Sequence, residues 1–212
     1  MLKNTVKASG ITHLTDARYF AAWDVGYLGF PLGQGGISNA EFLAMREWIT
    51  GPELVGELSL PDIVPEGLAQ LKLTTLQGSE LFSVEALREL REINISTLMV
   101  ELVVQGYHSV EDVDLFCRER SEVVDQFLLN FTKGGIMWSD IEAGDPLRID
   151  ALRVLTQQYP ILLEIDGLPP TEIQQLLPAL KGFSVRGSAE EKVGYKDFDV
   201  VDDFFEDLEA EE

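Results

Sequence analysis

The sequence predicts an α/β chain folded as a (β/α)8 (TIM) barrel, eight parallel strands with helices outside. Short β-like runs alternate with helical patterns from one end of the chain to the other, the order that produces a parallel sheet with right-handed crossovers. Eight such units fit within 212 residues, a length that favours closure into a barrel over the alternative, an open doubly wound sheet. No composition shift, linker or internal repeat divides the chain. Residues 1–212 therefore read as a single barrel domain with an acidic end over 197–212.

The elements follow in order. Thr5 to Ile11 is the first strand, and a helix capped at Thr15 then runs through Ala17, Phe20, Ala21 and Trp23. Tyr27 to Phe30 is the second strand. Ser38 and Glu41 stand at capping-box spacing, with Ile37 and Phe42 placed as a hydrophobic staple and Phe42, Met45 and Ile49 as the apolar stripe. Leu54 to Leu58 is the third strand. The next crossover, Pro61 to Gln70, holds two prolines and predicts a turn or two of helix at most.

Leu71 to Leu76, ending at Gln77-Gly78, is the fourth strand, and Ser83 caps an amphipathic helix through Val84, Leu87 and Leu90. Thr97 to Val104 is the fifth strand, and Ser109 caps the helix carrying Cys117. Asp125 to Phe131 is the sixth, followed by a loop with Gly134, Gly135 and Trp138. A helix over 147–159 leads to the seventh, Pro160 to Gly167. Thr171 caps the helix of Ile173, Leu176, Leu177 and Leu180; Gly182 to Gly187 is the eighth strand and 198–208 the last helix.

Composition narrows the function classes. The chain is 45% hydrophobic and 25% charged, as globular proteins are. Its 37 acidic and 16 basic residues give a net charge of −21, which argues against nucleic acid or an anionic membrane as partner. No apolar run approaches a membrane span and residues 1–6 lack an apolar signal core, so a soluble, cytoplasmic protein is expected, monomer or homodimer. The one cysteine, Cys117, cannot form an internal disulfide and suits a reducing compartment. Asp197 to Glu212 carries nine acidic residues and no basic one, a solvated final helix and frayed end, or alternatively a docking tail for a basic partner.

Two histidines and one cysteine without ligand spacing predict no metal, and no cofactor is expected. Gly33 to Gly36 lacks the Gly-Lys-Ser/Thr ending of a phosphate loop. Serine-hydrolase chemistry at Ser9 has no histidine placed to support it.

Active sites of such barrels sit at the C-terminal strand ends. The residues there are Ser9, Phe30, Glu57, Thr75, Gln77, Glu101, Asn130, Glu164, Asp166, Ser184 and Arg186. Glu57, Glu101 and Glu164 lie within strand runs. If they point inward they need partners, either as paired structural carboxylates or as replaced acid/base groups.

Here the chain resembles a known family. Lys7 to Thr12 with Asp16-Ala17 is similar to the Lys-x-Cys-Gly-Ile-Thr and Asp-Ala opening of phosphoribosylanthranilate isomerases, and Gly26 to Phe30 to their second strand, which ends Leu-Gly-Phe. Ser184 to Asp197 aligns with their Asp-Val-Ser-Ser-Gly-Val-Glu-x-x-Pro-Gly-x-Lys-Asp. Gln77 to Glu80, the Gly134 to Trp138 loop and Asp166 to Leu168 keep the family order.

The resemblance implies an Amadori rearrangement of an anthranilate-linked aminoaldose phosphate, with a general base and a general acid. Both positions depart from the family. Ser9 stands where the family has its cysteine base, and a serine hydroxyl is a far weaker base than a thiolate. Asn130 stands where the family has its aspartate acid, and a carboxamide has no proton to give. Gly35 matches the arginine that holds the anthranilate carboxylate. The family's Gln-Leu-His-Gly becomes Thr75 to Gly78, with Gln77 for the histidine.

Asp166 replaces the first glycine of the Gly-Gly-Leu turn whose amides face the substrate phosphate, next to Gly167, and would repel a dianion. Arg186 is either its neutraliser, the two filling the phosphate site from within, or a ligand for phosphate or carboxylate aided by Gly187, Ser188 and Lys196. His13 and His108 read as surface loop residues and Cys117 as core filler. Three functions follow: a family-like barrel that has lost the isomerisation and serves another small ligand or a protein, an isomerase with substitute groups such as Asp166 or Glu101, or a barrel enzyme acting on a smaller or uncharged sugar-like substrate. A small phosphorylated or carboxylate ligand at the C-terminal face is the partner the resemblance implies.

Overall fold

The computed structural model describes residues 2–33, 35–61, 67–93, 95–186 and 199–209. Eight parallel strands close into a barrel in chain order, β1 (Thr5–Ser9), β2 (Tyr27–Leu32), β3 (Glu53–Leu58), β4 (Thr75–Gly78), β5 (Thr97–Val103), β6 (Gln126–Asn130), β7 (Ile161–Glu164) and β8 (Gly182–Arg186). β8 returns to β1 with Thr5 beside Gly182 and Ser9 beside Arg186. Around them lie α1 (Leu14–Ala22), α2 (Asn39–Arg46), α3 (Val84–Glu92), α4 (Val110–Arg120), α5 (Trp138–Ala143), α6 (Ile149–Gln158), α7 (Pro170–Leu176) and α8 (Asp199–Leu208).

The β3–β4 crossover keeps only a 3-10 turn, Leu68–Leu71, among its described residues, and β6 is followed by two helices. Lys72 adopts a positive φ of 50°. That turn breaks the run expected to be strand from Leu71, so β4 begins at Thr75.

The predicted caps of α2, α3 and α4 form. Ser38 and Ser109 sit in capping boxes with Glu41 and Asp112, and Ser83 accepts from the Ala86 amide, together satisfying donors that a helix start leaves open. Two other starts differ. His13, not Thr15, precedes α1, and α7 begins at Pro170 behind Pro169. Proline suits the first helical position, and Thr171 instead donates its hydroxyl to Asp207.

Side chains alternate across each strand, and two interiors result. Outward from the sheet, Val6, Ala8, Leu28, Phe30, Leu76, Val100, Phe127, Leu129, Leu163 and Phe183 pack under the helices. Phe30, although near the end of its strand, belongs to this layer and meets Phe42 edge-on, centroids 5.3 Å apart. Inward, Val55, Met99, Leu128 and Leu162 are buried, on the same strand faces as Glu57, Glu101, Asn130 and Glu164 one step nearer the C-terminal ends. The barrel is thus apolar at mid-height and charged at its mouth.

Cys117 is buried on α4, and burial, then Asp114, pushes its thiol up to about 12. No described helix is long and apolar enough to cross a membrane.

Candidate functional site

The mouth is built from the last inward residues of seven strands. Lys7 is fully buried, and its Nζ ion-pairs with Glu57 Oε1 over Gly29 of the intervening β2 and donates to Ser9 Oγ at 2.6 Å. Glu57 Oε2 accepts the Gly10 amide at 3.1 Å. Gly29 makes this possible: a Cβ there would fall onto Glu57 Oε1 and within 2.7 Å of Lys7 Nζ. Burial raises the Glu57 carboxyl, but the Lys7 ammonium outweighs it, and the carboxyl is held below the usual range.

From Ser9 a directed chain continues. Ser184 Oγ lies 2.9 Å from Ser9 Oγ and donates to Glu164 Oε2 at 2.6 Å. A hydroxyl has one proton, so Ser184 accepts from Ser9, and Ser9 in turn accepts from Lys7. The Ser9 proton is committed to Ser184, and the Lys7 ammonium sits on its lone pair. Neither feature makes a base.

On the other side, Asn130 Nδ2 donates to Glu101 Oε1 at 2.7 Å, and Asn130 Oδ1 accepts the Lys133 amide at 2.9 Å. Both ends of the carboxamide are used. Glu101 also takes Lys133 Nζ at 3.3 Å and Arg186 at 3.4 Å, and Arg186 Nε reaches Glu164 Oε1 at 2.9 Å. Burial opposes the Arg186 charge, but Glu164, Glu101 and Glu57 outweigh it and raise its pKa. Three inward carboxylates therefore meet three cations. Buried charges require such pairing. Lys7 and Lys133 were not assigned roles from the sequence; the position of Lys7, two residues before Ser9 on the same strand face, is a signal that could have found it.

Other expected positions fall differently. Thr75 is buried near the N-terminal end of β4, and its hydroxyl donates to Glu53, away from the mouth. Gly35, with φ +83°, is exposed, and a side chain there would point into open space. Asp166 is exposed, and its carbonyl accepts the Trp138 amide at 2.8 Å. No Asp166–Arg186 ion pair occurs among the described residues, because Glu164 and Glu101 lie nearer the guanidinium. Gly167 follows with φ +104°. Gly187, Ser188 and Lys196 lie outside the described residues.

Two cavities open here. A cleft of about 820 Å3 is lined by Glu57, Gln77, Glu80, Glu101, Lys133 and Arg186, with Leu60 and Leu81 among its other walls. A smaller one, about 210 Å3, lies between β7 and β8 and includes Glu164, Asp166 and Arg186. Gln77 is 4% exposed, and its Oε1 has no hydrogen-bond partner among the described residues. No described group of three or more His, Cys, Asp or Glu is arranged to hold a metal.

No family model matches the sequence, and no curated protein matches it. Solved structures do. The phosphoribosylanthranilate isomerase of Thermus thermophilus is 20% identical over 96% of this chain and 98% of its own, with a TM-score of 0.68. That of Thermotoga maritima is 18% identical over 97% and 98%, with a TM-score of 0.71. That of Thermococcus kodakaraensis is 16% identical with the same coverage and a TM-score of 0.71. Over nearly its whole length, this chain has the fold of the phosphoribosylanthranilate isomerases.

Proposed function

We propose that this chain is an isomerase-fold barrel that does not perform the Amadori rearrangement and has turned its mouth to a different small ligand. One observation carries the reading: the groups at both acid/base positions are consumed. Ser9 gives its proton to Ser184 and receives Lys7, while Asn130 is bonded at both ends. General acid and base catalysis each contribute about 10²–10⁴-fold, so losing both removes the reaction.

The charges agree. One solved isomerase is in complex with reduced 1-(o-carboxyphenylamino)-1-deoxyribulose 5-phosphate, a compound whose name carries a carboxylate and a phosphate. In this mouth such an anion would face Glu57, Glu101 and Glu164, and each cation there already pairs with one of them. Substitute catalysis finds no support, since Glu101 accepts from three groups and Asp166 faces solvent.

The test is complementation of an isomerase-deficient strain, with a coupled assay on freshly made substrate. No growth and no turnover above buffer are expected. Robust growth overturns the reading.

A further inference from the structure

We propose that the larger cleft binds a small unphosphorylated sugar or polyol, neutral or amine-bearing, through hydrogen bonds that the ligand donates. The inference rests on the preceding reading and names the ligand class of the same mouth. Its starting point is Gln77. Buried polar atoms are nearly always satisfied, yet Gln77, a residue of the cleft wall, has a buried Oε1 without a partner among the described residues. An unmet acceptor on a cavity wall calls for a donor that arrives with a ligand.

The neighbours point the same way. Glu80 lines the cleft and spends one oxygen, Oε2, on the Val103 amide at 3.1 Å, and Glu57 and Glu101 flank it. The two cations of the wall, Lys133 and Arg186, are held by Glu101 and Glu164. An anion entering here meets cations whose charge is already largely offset and lies against the carboxylates that offset it. A hydroxyl or ammonium meets a wall in which the carboxylates Glu57, Glu80 and Glu101 outnumber the cations Lys133 and Arg186. Leu60 and Leu81, 41% and 59% exposed, give the cleft an apolar side for the C–H face of a ring. At about 820 Å3 the space is of the size small-molecule sites occupy.

The experiment uses the full chain with D-ribose, D-glucosamine and ribose 5-phosphate as probes, followed by saturation-transfer NMR and calorimetry. Ribose or glucosamine is expected to bind in the millimolar range, with ribose 5-phosphate weaker than the better sugar by about tenfold or more. Gln77→Leu is expected to weaken the sugar by about tenfold while the thermal midpoint stays level or rises, because it removes an unsatisfied buried group. Should that variant fail to fold, Glu80→Gln is expected to lower glucosamine affinity more than ribose affinity.

Failure of both sugars to bind overturns the inference, as does ribose 5-phosphate binding equally or better. Unchanged sugar affinity in a folded Gln77→Leu also overturns it. A chain inactive as isomerase that prefers ribose 5-phosphate sinks this inference alone, whereas growth in the complementation test sinks the reading beneath it.

Discussion

Replacing Lys7 by methionine leaves the Glu57 carboxylate inside the barrel without its ammonium. Breaking a buried pair from one side costs about 3–5 kcal/mol, so Lys7→Met is expected to lower unfolding stability by that order at pH 7, read by urea denaturation. Combining it with Glu57→Gln should recover most of the loss, because neither charge then remains. The pH dependence has a defined sign: without Lys7 the carboxyl favours its neutral form, so the deficit shrinks as pH falls toward the ordinary carboxylate value of about 4.3. An equal deficit at pH 7 and pH 4 would mean that the loss comes from packing. At this scale the sequence was only half legible. Ser9 and Asn130 could be placed because they end strands in family-like segments. Their neutralisation by Lys7, Ser184 and Lys133 joins residues up to 175 positions apart, and local pattern holds no record of that. Arg186 illustrates the same limit. The sequence offered Asp166, two residues past the end of β7, as its partner, whereas the inward parity of β7 supplies Glu164.

Among the elements, α8 carries more than its acidic composition suggests. Phe205 is fully buried, stacked on Trp23 at 5.1 Å and 12°, with Phe20 and Phe204 against it. Asp207 accepts from Thr171 at the start of α7, and Asp202 from Tyr19 on α1. The helix therefore fastens both sides of the seam where β8 meets β1. Phe205→Ala is expected to cost about 3–5 kcal/mol and to change Trp23 fluorescence, while Phe205→Leu should cost under about 1.5 kcal/mol. Equal small losses for both would show that α8 is dispensable to the barrel. Acidic residues in the last sixteen positions suggested a solvated helix and frayed end; two of those acids, Asp202 and Asp207, and two aromatic rings in fact do structural work. Caps were the most legible feature of the elements, since Ser38 and Ser109 act on residues three positions away. The start of β4 was the least, because the left-handed turn at Lys72 leaves no signature in an otherwise apolar and β-branched run.

For the whole molecule, β/α alternation was enough to predict the barrel, because each strand–helix unit repeats one local pattern and closure follows from their number. Net charge is the remaining molecular-scale property. With 37 acids and 16 bases, most carboxylates have no cation available, and a compact shape concentrates their repulsion. Exposed pairs such as Arg118–Asp114 and Arg153–Asp150 contribute at most about 1 kcal/mol each. The Lys7–Glu57 pair is buried, and the carboxylates of the other mouth pairs are too, so these contacts are less accessible to salt. Added sodium chloride at pH 7 is therefore expected to raise the thermal midpoint by a few degrees, each kcal/mol being worth about 2–4 °C at this size. Near the isoelectric point of about 4.3 the same salt should do little, since net repulsion has gone. Below it stability should fall for another reason. Glu57 has a folded pKa lowered from the usual value, so its contribution is complete above the ordinary carboxylate range and is lost as pH drops through the lowered one. Calorimetric scans across salt and pH would check both limbs. A midpoint that falls with salt at pH 7 would mean that the barrel depends more on screened surface pairs than on the Lys7–Glu57 and Arg186–Glu164 contacts at its mouth.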